Sequence, residues 1–168
     1  MVRHTLSSLG PKVIASRMVA DYVNHLYVPA AASAASVTPG VAASRSQAKA
    51  RMREGWSGVR VEHVESSGVS DSPQVGDEVS IRAFVTLGDL APSDVSVQLV
   101  HGRVTPEDTL VDTVAQDLTH VEAYEAGRHC FEGVVKLRRT GPFGYTVRVL
   151  PAGLGLANPA ELGLVANA

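Results

Sequence analysis

The spacing of the apolar residues changes once along this chain, at Trp56, and that change limits the fold more than any other feature. Before it, large apolar side chains recur with helical spacing. Ile14, Met18, Tyr22 and Leu26 follow one another at i+4, and Val19, Val23 and Tyr27 widen the stripe. After it, apolar and polar residues alternate. Val59, Val61 and His63 alternate with Arg60 and Glu62, and Val79, Ile81, Ala83 and Val85 with Ser80, Arg82 and Thr86. Val95, Val97 and Leu99 alternate with Ser96 and Gln98, while Phe131, Val135 and Leu137 oppose Glu132, Lys136 and Arg138. Phe143, Tyr145, Val147 and Val149 alternate with Thr146 and Arg148. A period of two puts one face of a strand in a core and the other in water.

Turn signals separate these runs: Ser72-Pro73, Val75-Gly76-Asp77, Ala91-Pro92, Thr105-Pro106 and Gly141-Pro142. A weaker strand from Asp112 to Thr119 is expected to hairpin through Glu125-Ala126-Gly127 into the Phe131 strand. Six or seven short strands of this kind predict an antiparallel β-sandwich of immunoglobulin or fibronectin type over residues 56–150. The fold class is therefore α+β, with the sandwich preceded by an amphipathic helix and followed by a Gly/Ala/Pro-rich tail over 151–168.

The helix is expected over 11–28, with Pro11 at its first position and Pro29 ending it, closing a segment 1–29. Upstream, Val2, Leu6 and Leu9 suit a short helical turn. The run AAASAASVTPGVAA over 30–43 reads as a linker, and a short basic helix capped by Ser44 follows to Glu54, completing a segment 30–55. Lys49, Arg51 and Arg53 read as its solvated face. Seven large apolar side chains line the first helix, each worth ~1.5–3 kcal/mol if fully buried. A helix of this length draws most of its stability from packing, so Ile14, Met18, Tyr22 and Leu26 are expected to dock on a surface.

Chemistry is hard to find. The net charge is −2 and aromatic residues make up 5%, which argues against a polyanion track or a base-stacking platform, and hence against nucleic acid as a partner. No stretch reaches the ~20 apolar residues of a membrane span and no signal sequence opens the chain, so a cytoplasmic, membrane-free protein is expected. The six histidines show no metal-ligand spacing; His63 with Glu65, and His120 with Glu122, read as surface strand neighbours. The lone Cys130 reads as a half-buried structural thiol. Gly153 and Gly155 read as loop glycines without a nucleotide-binding βαβ unit. There is no nucleophile elbow, and no carboxylate pair is placed on facing strands. Of the three lysines, Lys12, Lys49 and Lys136, none reads as buried among anion-binding donors, as a pyridoxal phosphate lysine must be. No catalytic, cofactor-binding or metal-binding residue is therefore expected.

Three stretches carry a resemblance. The first is SLGPKVIASRMVADYVNHLYVPAA from Ser8, the second WSGVRVEH from Trp56 to His63, and the third RTGPFGYTVRVLP from Arg139 to Pro151 with PAELGLV from Pro159 to Val165. In this order they resemble the C-terminal region of the α-glucan (glycogen-type) phosphorylase family, in its bacterial, actinobacterial-type form. Residues 152–156 depart from it, since the family commonly carries a basic, histidine-containing stretch there. The resemblance implies a parent with two Rossmann-like domains in the GT-B arrangement. It implies a lysine-bound pyridoxal phosphate that assists phosphorolysis of terminal α-1,4-glucan linkages to glucose 1-phosphate. The segment Ser8 to Tyr27 would be the parent's last long helix, and the cofactor lysine lies upstream of every position present here. The chain is thus expected to be an inactive C-terminal fragment, from a truncated or split reading frame. Its partners would be the missing catalytic domains, and α-glucan through the parent enzyme. The alternative is an autonomous sandwich that binds α-glucan or a protein, with Trp56, Tyr124, Phe143 and Tyr145 as its candidate sugar platform.

Overall fold

A computed structural model describes residues 7–8, 10, 14–68, 74–153, 155–156 and 158–168. The expected turn at Val2, Leu6 and Leu9, the helix start at Pro11 with Lys12, and the Ser72-Pro73 turn lie outside these residues. The chain divides into two compact units, residues 1–44 and 45–168.

In the first unit, α1 (Ala15–Tyr22) runs into a π-helical segment, Val23–Tyr27, and then into α2 (Val28–Ala35). Pro29 does not end the helix, contrary to expectation. A proline ring collides with the carbonyl four residues back and offers no N–H. Here the turn before it is widened, with the Val28 N–H donating to the Val23 carbonyl five residues back, and the helix passes Pro29 intact. Much of the alanine-rich run is accordingly helical, up to Ala35.

The basic helix, α3 (Pro39–Gly55), is longer than Ser44–Glu54. Pro39 occupies the first helical position, and the Thr38 hydroxyl accepts the Val41 N–H at 3.3 Å, a capping role expected of Ser44. Ser44 instead lies inside the helix, its hydroxyl donating to the Val41 carbonyl. Two of the three cations expected in water are paired: Lys49 with Glu161 at 2.5 Å and Arg51 with Asp94 at 3.1 Å.

The second unit holds two four-stranded antiparallel sheets. Their strands are β1 (Arg60–Ser67), β2 (Glu78–Thr86), β3 (Val95–Val104), β4 (Leu110–Asp117), β5 (Thr119–Glu125), β6 (Arg128–Lys136), β7 (Phe143–Pro151) and β8 (Ala166–Asn167). One sheet runs β1-β2-β6-β5 and the other β4-β3-β7-β8. The alternating residues of β2, β3 and β7 meet in one core: Val79, Ile81, Ala83 and Val85 with Val97, Leu99, Val147 and Val149. Met52 of α3 is fully buried in this core beside Trp56 and Leu90. Gly55 is where the helix passes Leu90, since a Cβ there would lie 2.9 Å from the leucine side chain.

Two strand expectations need correction. Glu62 is the extra residue of a bulge between Val61 and His63, so Val64 rather than His63 follows Val61 onto the core side. The run from Asp112 to Thr119 is not one strand. β4 belongs to one sheet and β5 to the other, and the chain crosses at Leu118, whose buried side chain joins the core while its N–H bonds the Val97 carbonyl at 2.8 Å. The hairpin into β6 therefore comes from β5. Beyond these strands, the tail packs along the sandwich, adding β8 to β7 with Leu162 and Leu164 against the core.

Candidate functional site

The four residues expected to dock are exposed. Ile14, Met18, Tyr22 and Leu26 retain 48%, 48%, 46% and 56% of their surface, and no residue of α1, the π segment or α2 is buried. On an α-helix, residues at i+4 drift by about 40° per step, so a long i+4 series spirals around the axis. The π segment turns less per residue and takes back part of that drift, bringing Leu26 towards the line of Met18. Arg17 and Asp21 form an exposed i,i+4 pair at 3.1 Å. A helix with this much apolar surface in water is short of packing partners, which makes the ridge a candidate site.

The sandwich carries its polar chemistry on the outer face of the β1-β2-β6-β5 sheet. The bulge at Glu62 sends its carboxylate into a knot of donors: the Thr86 hydroxyl at 2.7 Å, the Tyr124 phenol at 2.9 Å, Arg128 at 3.2 Å and Arg60 at 3.3 Å. The Thr86 hydroxyl, then the Tyr124 phenol and the two guanidinium groups, hold Glu62 below the usual carboxylate range. Tyr124 is pushed up, first by desolvation and then by its bond to Glu62. Alongside, His63 stacks on Phe84 at 4.2 Å and Arg82 lies over the same ring at 5.7 Å. The donors around Glu62 come from β1, β2, β5 and β6, so the cluster ties the strands of this sheet together.

Cys130 is fully buried, not half-buried, and desolvation first of all raises its thiol pKa despite the nearby Arg82. A buried, protonated thiol is a poor nucleophile. His63 and Glu65 are the exposed neighbours expected, 3.5 Å apart. His120 and Glu122 part company, because a register irregularity between them breaks the alternation. His120 meets His129, Nε2 to Nδ1 at 3.1 Å, while Glu122 reaches Arg82 at 3.8 Å. Among the described residues no group of three or more His, Cys, Asp or Glu side chains could hold a metal ion.

The lysines can be tested against pyridoxal phosphate. Lys12 lies outside the described residues, Lys49 is committed to Glu161, and Lys136 is exposed on β6. A Schiff-base lysine needs a desolvated pocket, so the described lysines do not fit this cofactor. The sugar-platform aromatics also separate. Trp56 is buried, Tyr145 packs against the core and Tyr124 is tied to Glu62. Phe143, paired with Tyr145 in the alternation, stays 38% exposed. No single helix among the described residues is long and apolar enough to cross a membrane.

Comparison with known proteins gives these features a context. A family profile described as the glycogen phosphorylase C-terminal domain matches residues 56–168. The chain is 44% identical over 168 residues to proteins named glycogen phosphorylase from Mycobacterium tuberculosis and Mycobacterium bovis, covering 98% of this chain and 20% of each relative. It is 26% identical over 171 residues to a maltodextrin phosphorylase of Thermococcus litoralis, again covering 98% of this chain and 20% of the relative. The chain thus spans about a fifth of the length of the curated relatives it matches.

Proposed function

This chain belongs to the glycogen phosphorylase C-terminal domain family, and from that membership we propose that it supplies the C-terminal part of an α-glucan phosphorylase. In this reading the chain contributes structure, not chemistry. The ridge of Ile14, Met18, Tyr22 and Leu26 docks on the catalytic portion, and the sandwich caps that portion from outside. The reaction, phosphorolysis of α-1,4-glucan to glucose 1-phosphate with pyridoxal phosphate, belongs to residues elsewhere in the parent. The observation that carries the reading is the match itself: nearly the whole chain aligns to a fifth of a phosphorylase, and its helix leaves an apolar stripe uncovered.

Two finer readings go with it. The helix of α1, the π segment and α2 is taken as the tail of a GT-B catalytic region, returning across its two Rossmann-like domains. The sandwich is taken as immunoglobulin-like. Its strand order supports this, because β1-β2-β6-β5 opposite β4-β3-β7-β8 reproduces the ABED and C′CFG sheets of that fold.

The test is an assay of the purified chain with maltodextrin, phosphate and added pyridoxal phosphate. No glucose 1-phosphate is expected, and no absorbance change marking a lysine aldimine. Sustained turnover, or stoichiometric aldimine formation on Lys12, Lys49 or Lys136, would place the chemistry in this chain and end the proposal.

A further inference from the structure

One end of the sandwich carries a cleft whose charge runs against that of the chain. Two cavities of about 250 and 530 Å³ adjoin there, sharing Leu137, Arg139, Thr140, Gly141 and Phe143 on the β6–β7 connection. The smaller is lined by Arg103, Lys136, Arg138 and Arg139, with Asp112 as its one carboxylate, in a protein whose net charge is −2. Asp112 does not neutralise them. It stands 3.9 Å from Arg103 Nε and 3.7 Å from Arg139 Nη1, both long and exposed pairs. Among the described residues Lys136 and Arg138 have no carboxylate within ion-pair distance, unlike Lys49, Arg51, Arg60, Arg82 and Arg128.

The geometry is built by the strands. A register shift between His101 and Arg103 in β3 faces Asp112, whose backbone is left-handed at φ 51°, a conformation that aspartate tolerates better than most side-chain-bearing residues. Gly102 lets β4 come this close, since a Cβ there would lie 2.5 Å from the Val111 carbonyl oxygen. Arg103 and Arg139 thereby converge on one carboxylate position. Next to the cations lies an apolar wall: Phe143 with His101 at 5.8 Å between ring centroids and Tyr145 at 6.2 Å, over Val79 and Leu137 in the larger cavity. Burial, and then the nearby Arg138, keeps His101 below its ordinary pKa, so at neutral pH it adds an uncharged ring to this wall.

We propose that this cleft binds a small phosphomonoester whose body presents a ring face to Phe143. Guanidinium forks match the oxygen geometry of phosphate, and a dianion offsets the surplus of three positive charges better than a monocarboxylate does. The combined volume suits a compact molecule, and an apolar wall with a few convergent charges is how small-molecule sites are made. The site is independent of the phosphorolysis assigned to the parent.

The test titrates the full chain by two-dimensional NMR with four probes: phenyl phosphate, glucose 6-phosphate, inorganic phosphate and phenol. One ester is expected to bind saturably, about tenfold or more tighter than either inorganic phosphate or phenol, shifting the amides of 136–143. The tighter ester tells whether an aryl or a pyranose body is preferred. Arg138→Ala with Arg139→Ala, both exposed, should weaken that ester about tenfold, and Phe143→Ala should bring its affinity down to that of inorganic phosphate. Circular dichroism of the variants should match the parent chain. The proposal is overturned if neither ester saturates by about 10 mM, or if the esters bind no tighter than inorganic phosphate. It is equally overturned if the variants fold but bind unchanged, or if an acidic peptide binds where both esters fail.

Discussion

Replacing Met18 and Leu26 together with aspartate puts the docking role of the ridge to a quantitative test. Its four side chains keep between 46% and 56% of their surface in water. Full burial of such residues is worth ~1.5–3 kcal/mol each, so about half of that remains available, or ~3–6 kcal/mol for the ridge. The double variant removes about half of this, ~1.5–3 kcal/mol, and asks a partner to desolvate two carboxylates as well. Association with a phosphorylase catalytic portion should therefore weaken by roughly tenfold to more than a hundredfold. The assay is calorimetric titration of each chain into the M. tuberculosis relative lacking the fifth that matches this chain. The sandwich should melt at the same temperature in both chains, because neither residue belongs to its core. Equal affinities for parent and variant, or no association of the parent chain at all, would refute the docking argument.

Leu99 is fully buried between the sheets, so Leu99→Ala should cost about 2–5 kcal/mol in denaturant unfolding; a loss under 1 kcal/mol would mean the core is not packed as described. Gly102→Ala must push against the Val111 carbonyl and should destabilise the sandwich by about 1–3 kcal/mol, whereas Gly58→Ala, meeting only an ordinary 3.6 Å contact, should leave its stability nearly unchanged. Glu62 has a pKa lowered from its ordinary 4.5, so its contribution is present above that value and is lost as pH falls through the lower folded-state value. Glu62→Gln should accordingly flatten the acid limb of a plot of melting temperature against pH, and an unaltered limb would remove Glu62 from the cause.

The strands were legible wherever burial alone set the pattern. In β2, and in β3 as far as Val100, alternation in the sequence became alternation of buried and half-buried side chains. It failed where a backbone irregularity intervened, because a bulge shifts the period without changing composition. Glu62 turned His63 out to stack on Phe84, and the break between His120 and Glu122 gave those residues different neighbours. Leu118 could be read as one more strand residue, since only the fold reveals that the chain changes sheets there. Pro29 misled for a related reason: its rule holds for an α-turn, and the turn before it is wider. The apolar ridge needed nothing beyond spacing and was visible at once. The cationic cleft was not, because Arg103, Asp112, Arg138 and Phe143 are brought together by sheet pairing across three strands and a loop.

Reconstitution is the sharpest measurement. The mycobacterial relative lacking its matching fifth would be assayed for glucose 1-phosphate release from maltodextrin, with and without this chain added. Activity should rise saturably with the chain, and much less with the Met18→Asp, Leu26→Asp variant. Release that ignores the chain at every concentration, while the chain remains folded, would contradict its role as the structural C-terminal part of a phosphorylase.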